Sequence, residues 1–135
     1  MINNFIKEIR EIIDDEDYGI ELSACVKAEE TTDGSWSTKN VYGQDYVTLN
    51  NHLDYLMPML YRHEYGWSST QLYNHTKYII DKTSEDKVVP IIQTYKNTTP
   101  LTKTTLEEDV NSVLKAGCKG YSLFRYGLIN EYPSK

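Results

Sequence analysis

The sequence predicts an α/β fold built on a parallel sheet. Three observations carry this. Apolar residues recur at helical spacing in several segments, short apolar or alternating runs lie between those segments, and capping residues mark the joins. In order, Ile2, Phe5, Ile6, Ile9, Ile12 and Ile13 mark an amphipathic first helix, stopped by Asp14-Asp15-Glu16-Asp17 and Gly19. Residues 20–27, IELSACVK, alternate strictly. Ile20, Leu22, Ala24 and Val26 take one face and Glu21, Ser23, Cys25 and Lys27 the other, which is a strand pattern. A polar loop over 28–43 and a weakly marked helix over 45–52 lead to a second strand, Tyr55 to Tyr61.

Ser68 or Ser69 caps a helix running to Lys82, with Leu72, Tyr73, Ile79 and Ile80 inward. KVVPIIQTY, 87–95, reads as the third strand. Thr104 and Glu107 have capping-box spacing for a helix through Leu106, Val110, Val113 and Leu114, closed by Gly117. GYSLF, 120–124, is the fourth strand. Pro58 and Pro90 each remove a ladder donor and argue for edges or bulges. The expected organisation is one domain over 1–127 and a tail over 128–135.

Composition excludes several roles. The net charge is −6 and no Lys/Arg block exists, so no phosphate-backbone footprint is present and nucleic acid is not an expected partner. No apolar run approaches the ~20 residues of a membrane span, so no membrane partner is expected. The N-terminus is too polar for a signal peptide, which points to a cytoplasmic chain as written, or to an extracellular or cell-surface one if it is part of a longer exported protein. Cys25 and Cys118 read as buried free thiols. No Gly-rich phosphate loop and no metal spacing among His52, His63 and His75 is found, so neither cofactor nor metal is expected.

Ligands of parallel α/β folds bind beyond the carboxyl ends of the strands. The residues there are Lys27, Glu29 and Glu30; then Tyr61, Arg62, His63, Glu64 and Trp67; then Gln93, Tyr95 and Lys96; then Arg125 and Tyr126. The opposite ends carry only turn residues such as Gly19, Asp86 and Lys119. Glu64 with Glu29 or Glu30 is the best carboxylate pair the chain offers, against the plainer reading of solvated loop acids. Tyr61, Gln93, Tyr95, Arg125 and Tyr126 are candidate walls of a polar site, or simply interior filling. Trp36 and Trp67 have rings suited to stacking on sugars, or to anchoring loops. His63 titrates near neutrality and is an acid/base candidate, or a surface residue. Asp45 reads as a helix-start residue rather than a catalyst.

GQDY (43–46), LDYLMPMLY (53–61), VVPIIQTY (88–95) and GCKGYSLFRYG (117–127), taken in order, resemble the C-terminal half of a glycoside-hydrolase-like TIM barrel. The resemblance runs over about residues 20–127. It implies that the four strands correspond to strands five to eight of a (βα)8 barrel, so that the chain is half a barrel. It also implies that the acid usually found on strand four lies outside this chain. The third strand here ends in Gln93, where many such enzymes carry a carboxylate. The expected ligand is a glycan or another small polar molecule. Exposed edges of a half barrel invite association, either with a second copy, giving a homodimer, or with a missing N-terminal half. The implied function is a glycosidase-like domain acting on or binding a glycan. The alternatives are a non-catalytic module that binds sugar or protein, and an unrelated small α/β protein.

Overall fold

The computed structural model describes residues 2–29 and 37–134. Helix α1 (Ile2–Asp15) leads into strand β1 (Ser23–Lys27). Two short helices, α2 (Thr38–Tyr42) and α3 (Tyr46–Asn50), precede β2 (Tyr55–Leu60). The one-turn α4 (Arg62–Tyr65) and the long α5 (Ser69–Lys82) lead to β3 (Ile91–Gln93). A small hairpin, β4 (Tyr95–Lys96) and β5 (Thr99–Pro100), is followed by α6 (Lys103–Ala116) and β6 (Ser122–Phe124).

The four main strands form one parallel sheet in chain order, β1-β2-β3-β6. That is the order of half a singly wound barrel, and the fold class expected from the sequence is the one observed. Alternation in β2 sets the two faces. Leu56, Pro58 and Leu60 are buried against the helices, whereas Tyr55, Met57 and Met59 are only half-buried on the other, concave face. Val26 and Ile92 join the helix-side core, which continues through Leu49, Leu72, Ile79, Leu106, Val110 and Val113.

Pro58 and Pro90 turn out to lie in interior strands, not at edges or bulges. Register pairs Met59 with Ile91, so one residue back the two prolines stand opposite each other. Leu56 donates to the Lys87 carbonyl and accepts from the Val89 N–H, so its polar backbone groups face β3. Two residues on, Pro58 faces the same way with no N–H to give, and the β2–β3 ladder lapses there. Pro90 faces β6, where its carbonyl accepts from Ser122. Its missing N–H leaves β6 no rung before Ser122. The third and fourth strands are therefore shorter than their apolar runs.

Other boundaries also shift. β1 starts at Ser23 because the Leu22 N–H is taken by the Asp54 carboxylate at 2.7 Å, and Ile20 is exposed. Thr102, not Thr104, caps α6 by accepting from the Thr105 N–H. Ser68 and Gln71 form the capping box of α5, and Gly117 ends α6 in the left-handed region at φ 117°. The expected loop over 28–43 contains α2, and the loop after β3 contains the hairpin.

The sequence marks α1 as amphipathic, yet of its apolar stripe only Ile13 is fully buried, with Phe5 61% and Ile12 60% exposed. Ile6 packs against the core and α1 rests on α3, while Phe5 and Ile12 stay open among the described residues. Polar contacts fix α1 as well. Arg10 donates to the His52 carbonyl at 2.9 Å and to the Asp54 carboxylate. The Leu22 N–H and then the Arg10 guanidinium hold the Asp54 carboxyl below its ordinary pKa, against the opposing effect of burial.

A carboxyl held low stabilises the fold above its unfolded pKa, ~3.9, and that stabilisation is lost as pH falls through the lower folded value. Urea midpoints should thus hold from neutrality to about pH 4 and drop below it. Asp54→Asn should flatten that acid limb and cost about 1 kcal/mol at pH 7. Both effects are read from urea melts across pH.

Candidate functional site

The carboxyl ends of the four strands meet at one end of the concave face, and register identifies which side chains point there. Lys27 pairs with Met59, Met59 with Ile91, and Gln93 with Phe124. Gln93 and Phe124 thus share the last concave-face level, Tyr61 just past β2 extends it, and Lys27 stands one position below, beside Met59.

Gln93 is the centre of this layer. It is 1% exposed. Its Oε1 accepts from the Glu64 N–H at 3.2 Å, while its Nε2 is buried with no hydrogen-bond partner. Strand order puts Gln93 between Tyr61 and Phe124, and their rings stack 5.6 Å apart with 13° between planes. Tyr95 tilts against Phe124 at 6.3 Å, and the Arg125 guanidinium lies 5.7 Å from the Tyr95 ring centre. Thr94 fixes this corner. Its N–H donates to the Phe124 carbonyl at 2.7 Å, and its hydroxyl accepts from the Arg125 N–H at 3.0 Å. Burial, and then the neighbouring Tyr95, raise the Tyr61 pKa, so the phenol keeps its proton at neutral pH.

The β1 side is charged. The Lys27 ammonium lies 3.3 Å from the Glu29 carboxylate, 5.6 Å from the Tyr42 ring centre and 5.8 Å from that of Tyr65. Tyr42 donates to Glu29 at 3.5 Å. Burial pulls the Lys27 pKa down, but Tyr65 and Glu29 outweigh it and leave the pKa raised. The GQDY segment builds this end of β1. Gln44 accepts from the Lys27 N–H at 2.8 Å, and the Tyr46 hydroxyl donates to the Lys27 carbonyl at 2.5 Å. Asp45 caps α3 and pairs with Lys39, as its helix-start reading anticipated.

The structure therefore brings Tyr61, Gln93, Tyr95, Arg125 and Glu29 to the strand ends. Glu64 is exposed on α4, and its contact with Gln93 is made by backbone. Tyr126 is 91% exposed beyond β6. Glu30 and Trp36 lie outside the described residues.

His63 and Trp67 are held by other partners. His63 Nε2 is 2.8 Å from Asp109, a carboxylate 1% exposed on α6, which also binds Arg62. Arg62 reaches Glu108 and the Trp67 carbonyl as well. The Trp67 ring stacks on His75 at 4.0 Å and meets a tilted Tyr65 ring at 4.6 Å, against the core. These contacts pin α4 to the helix layer.

Tyr42, Tyr65 and Phe124 are the residues missed as candidates, and Lys27, named at the end of the first strand, was given no role. Period two already put Lys27 on the face of Ser23 and Cys25, and Phe124 two residues from Ser122. Nothing local marked Tyr65, because α4 was not foreseen. Cys118 is buried as expected, but Cys25 is exposed on the concave face of an edge strand. A hollow of about 380 Å³ between α5 and α6, lined by Ser69, Thr70, Tyr73, Ser112 and Lys115, lies away from the strand ends and holds no carboxylate. Among the described residues no His/Cys/Asp/Glu group is placed to hold a metal, and no helix is long and apolar enough to cross a membrane.

Asp109→Ala should destabilise the chain by about 3 kcal/mol in denaturant melts, because it strands a charged Arg62 in a nearly dry pocket. Asp109→Asn, which keeps a hydrogen-bond acceptor, should cost less.

No family model matches this chain, and no curated protein sequence matches it. Solved structures do. The chitinase from Chromobacterium violaceum superposes on 96% of this chain with a TM-score of 0.74 at 15% identity. The PgaB (BpsB) glycoside hydrolase domain from Bordetella bronchiseptica superposes on 91% with a TM-score of 0.72 at 12% identity. This chain spans 57% and 36% of those two proteins. At such identities the likeness is one of fold, and the fold is glycoside-hydrolase-like.

Proposed function

We propose that this chain forms one wall of a glycan-binding cleft in a glycosidase-like barrel, with the strand ends around Gln93 as the sugar site. The observation that carries the reading is the buried, unpartnered Gln93 amide nitrogen beneath the Tyr61–Phe124 pair. A buried donor without an acceptor costs about 1–3 kcal/mol, and a ligand oxygen recovers it. Around it stand groups suited to a polyol. Tyr61 and Lys27 are donors, Glu29 is an acceptor, and the aromatic rings stack on C–H faces. The structural neighbours, a glycoside hydrolase domain and a chitinase, agree with this chemistry.

Hydrolysis needs two carboxyl groups about 5–9 Å apart. An amide stands at the end of β3 and neither gives up a proton nor attacks carbon. Glu29 and Glu64 are the described carboxylates beside the cleft, and Glu30 follows Glu29 in sequence. A second reading, capture of a glycan without cleavage, is favoured by the ties of Glu29 to Lys27 and Tyr42.

The test is calorimetry with a panel of soluble oligosaccharides, chitin fragments included. The unaltered chain should bind one class, and Gln93→Met should weaken binding about fivefold. Its melting temperature should stay level or rise, because the substitution removes a buried unpaired donor. A lower melting temperature with unchanged binding would show the amide to be structural and end the proposal. Released reducing ends separate the two readings. Loss of release in Glu29→Gln or Glu64→Gln indicates cleavage, and no release by the unaltered chain indicates capture alone.

A further inference from the structure

Resting on the glycan reading, we propose that the sugar unit held over Gln93 carries a carboxylate, as a uronic acid does, and that Arg125 selects it. The two sides of the cleft differ in charge. On the β1 side both signs are present and engaged with each other. The Lys27 ammonium is 3.3 Å from the Glu29 carboxylate, and Tyr42 donates to that carboxylate at 3.5 Å. The side formed by β3 and β6 offers donors and a cation instead.

The Glu64 N–H occupies the Gln93 Oε1, so the end of the amide left without a partner is its NH2 group, a donor with two protons. Beside it the Tyr61 phenol keeps its proton at neutral pH. Arg125 adds a permanent positive charge. Its backbone is tied to Thr94, the residue after Gln93, through an N–H donated to the Thr94 hydroxyl at 3.0 Å. Its guanidinium lies 5.7 Å from the centre of the Tyr95 ring, and that ring tilts against Phe124 at 6.3 Å. These contacts keep the cation with the rings that flank Gln93. Among the described residues no carboxylate pairs with Arg125, whose side chain is exposed at the rim.

A carboxylate matches this set better than a hydroxyl does. A hydroxyl that accepts from Gln93 still has a proton of its own to place. Glu29 stands at the opposite edge of the sheet, beyond β1, and Glu64 meets Gln93 through its backbone with its side chain exposed on α4. A carboxylate brings two oxygens that only accept, and a guanidinium fork takes them as a pair. The net charge of −6 repels anions in general. Preference for an acidic sugar therefore reports a local cation rather than the chain's overall field.

Calorimetry at low salt compares trigalacturonate and a hyaluronan hexasaccharide, each with its carboxyl-reduced counterpart, in which –CH2OH replaces –COO⁻. The unaltered chain should bind one of the uronates about tenfold tighter than its reduced form. Arg125→Gln should erase that preference. Arg125→Lys should recover only part of it, because an ammonium lacks the planar fork. Lys96→Gln removes an equal charge from the adjoining hairpin and should change the preference less than about twofold. All three variants alter exposed side chains, so melting temperatures should hold. Reduced sugars or chitin fragments bound as tightly as the uronates would overturn the proposal, as would equal losses in Arg125→Gln and Lys96→Gln. If that neutral binding still falls in Gln93→Met, the sugar site itself stands. Binding of no sugar, or binding indifferent to Gln93→Met, would end the glycan reading and the acid preference with it.

Discussion

Everything in this molecule depends on four strands running the same way in a fixed register. A one-residue slip in β2 would send Met57 and Met59 into the helix layer and turn Leu56 and Leu60 to the open face. Register also decides the site, because it stacks Tyr61, Gln93 and Phe124 at one level of adjacent strands, with Lys27 one concave-face position below them beside Met59. The paired prolines work within this constraint. They remove rungs from the middle of the sheet but leave its carboxyl end bonded, where Met59, Leu60 and Ile91 to Gln93 still pair. The ladder is thus continuous where the functional side chains need fixed positions.

The site is held from behind by polar anchors rather than by apolar packing alone. Asp109 gathers Arg62 and His63 and so fixes α4, and α4 in turn supplies the backbone N–H that orients the Gln93 amide. Gln44 and Tyr46 do the same for the end of β1, where no neighbouring strand is present to bond Lys27. In both places side chains stand in for missing ladder partners. Among the described residues Asn3 Oδ1, Asn50 Oδ1 and Gln93 Nε2 are buried without a partner, and of these only the Gln93 nitrogen lies on the concave face of the sheet.

Much of this was legible in the sequence because it follows from periodicity. The apolar run over 55–61 marked the second strand, and capping chemistry located the starts of α5 and α6 to within two residues. The site wall, Tyr61, Gln93, Tyr95 and Arg125, came from reading strand ends. The failures have a common cause. His63 and Trp67 were placed by proximity in sequence, but a one-turn helix rotates them toward α6 and α5, and contacts 46 and 8 residues away hold them there. Nothing local encodes Asp109 as their partner. Likewise the helical stripe of α1 announces a buried face, although only its Ile6 and Ile13 side meets the core and Phe5 and Ile12 are exposed.

The central claim is that the Gln93 side-chain nitrogen is a donor kept for a ligand. Its two amide protons give their own signals in a nitrogen-15 correlation spectrum. Titrating the oligosaccharide that binds best should move those signals and slow their exchange with water, while the exposed Gln71 amide stays put. Movement confined to Ser69, Thr70 and Ser112 at the α5–α6 hollow, with the Gln93 signals unchanged, would contradict the account.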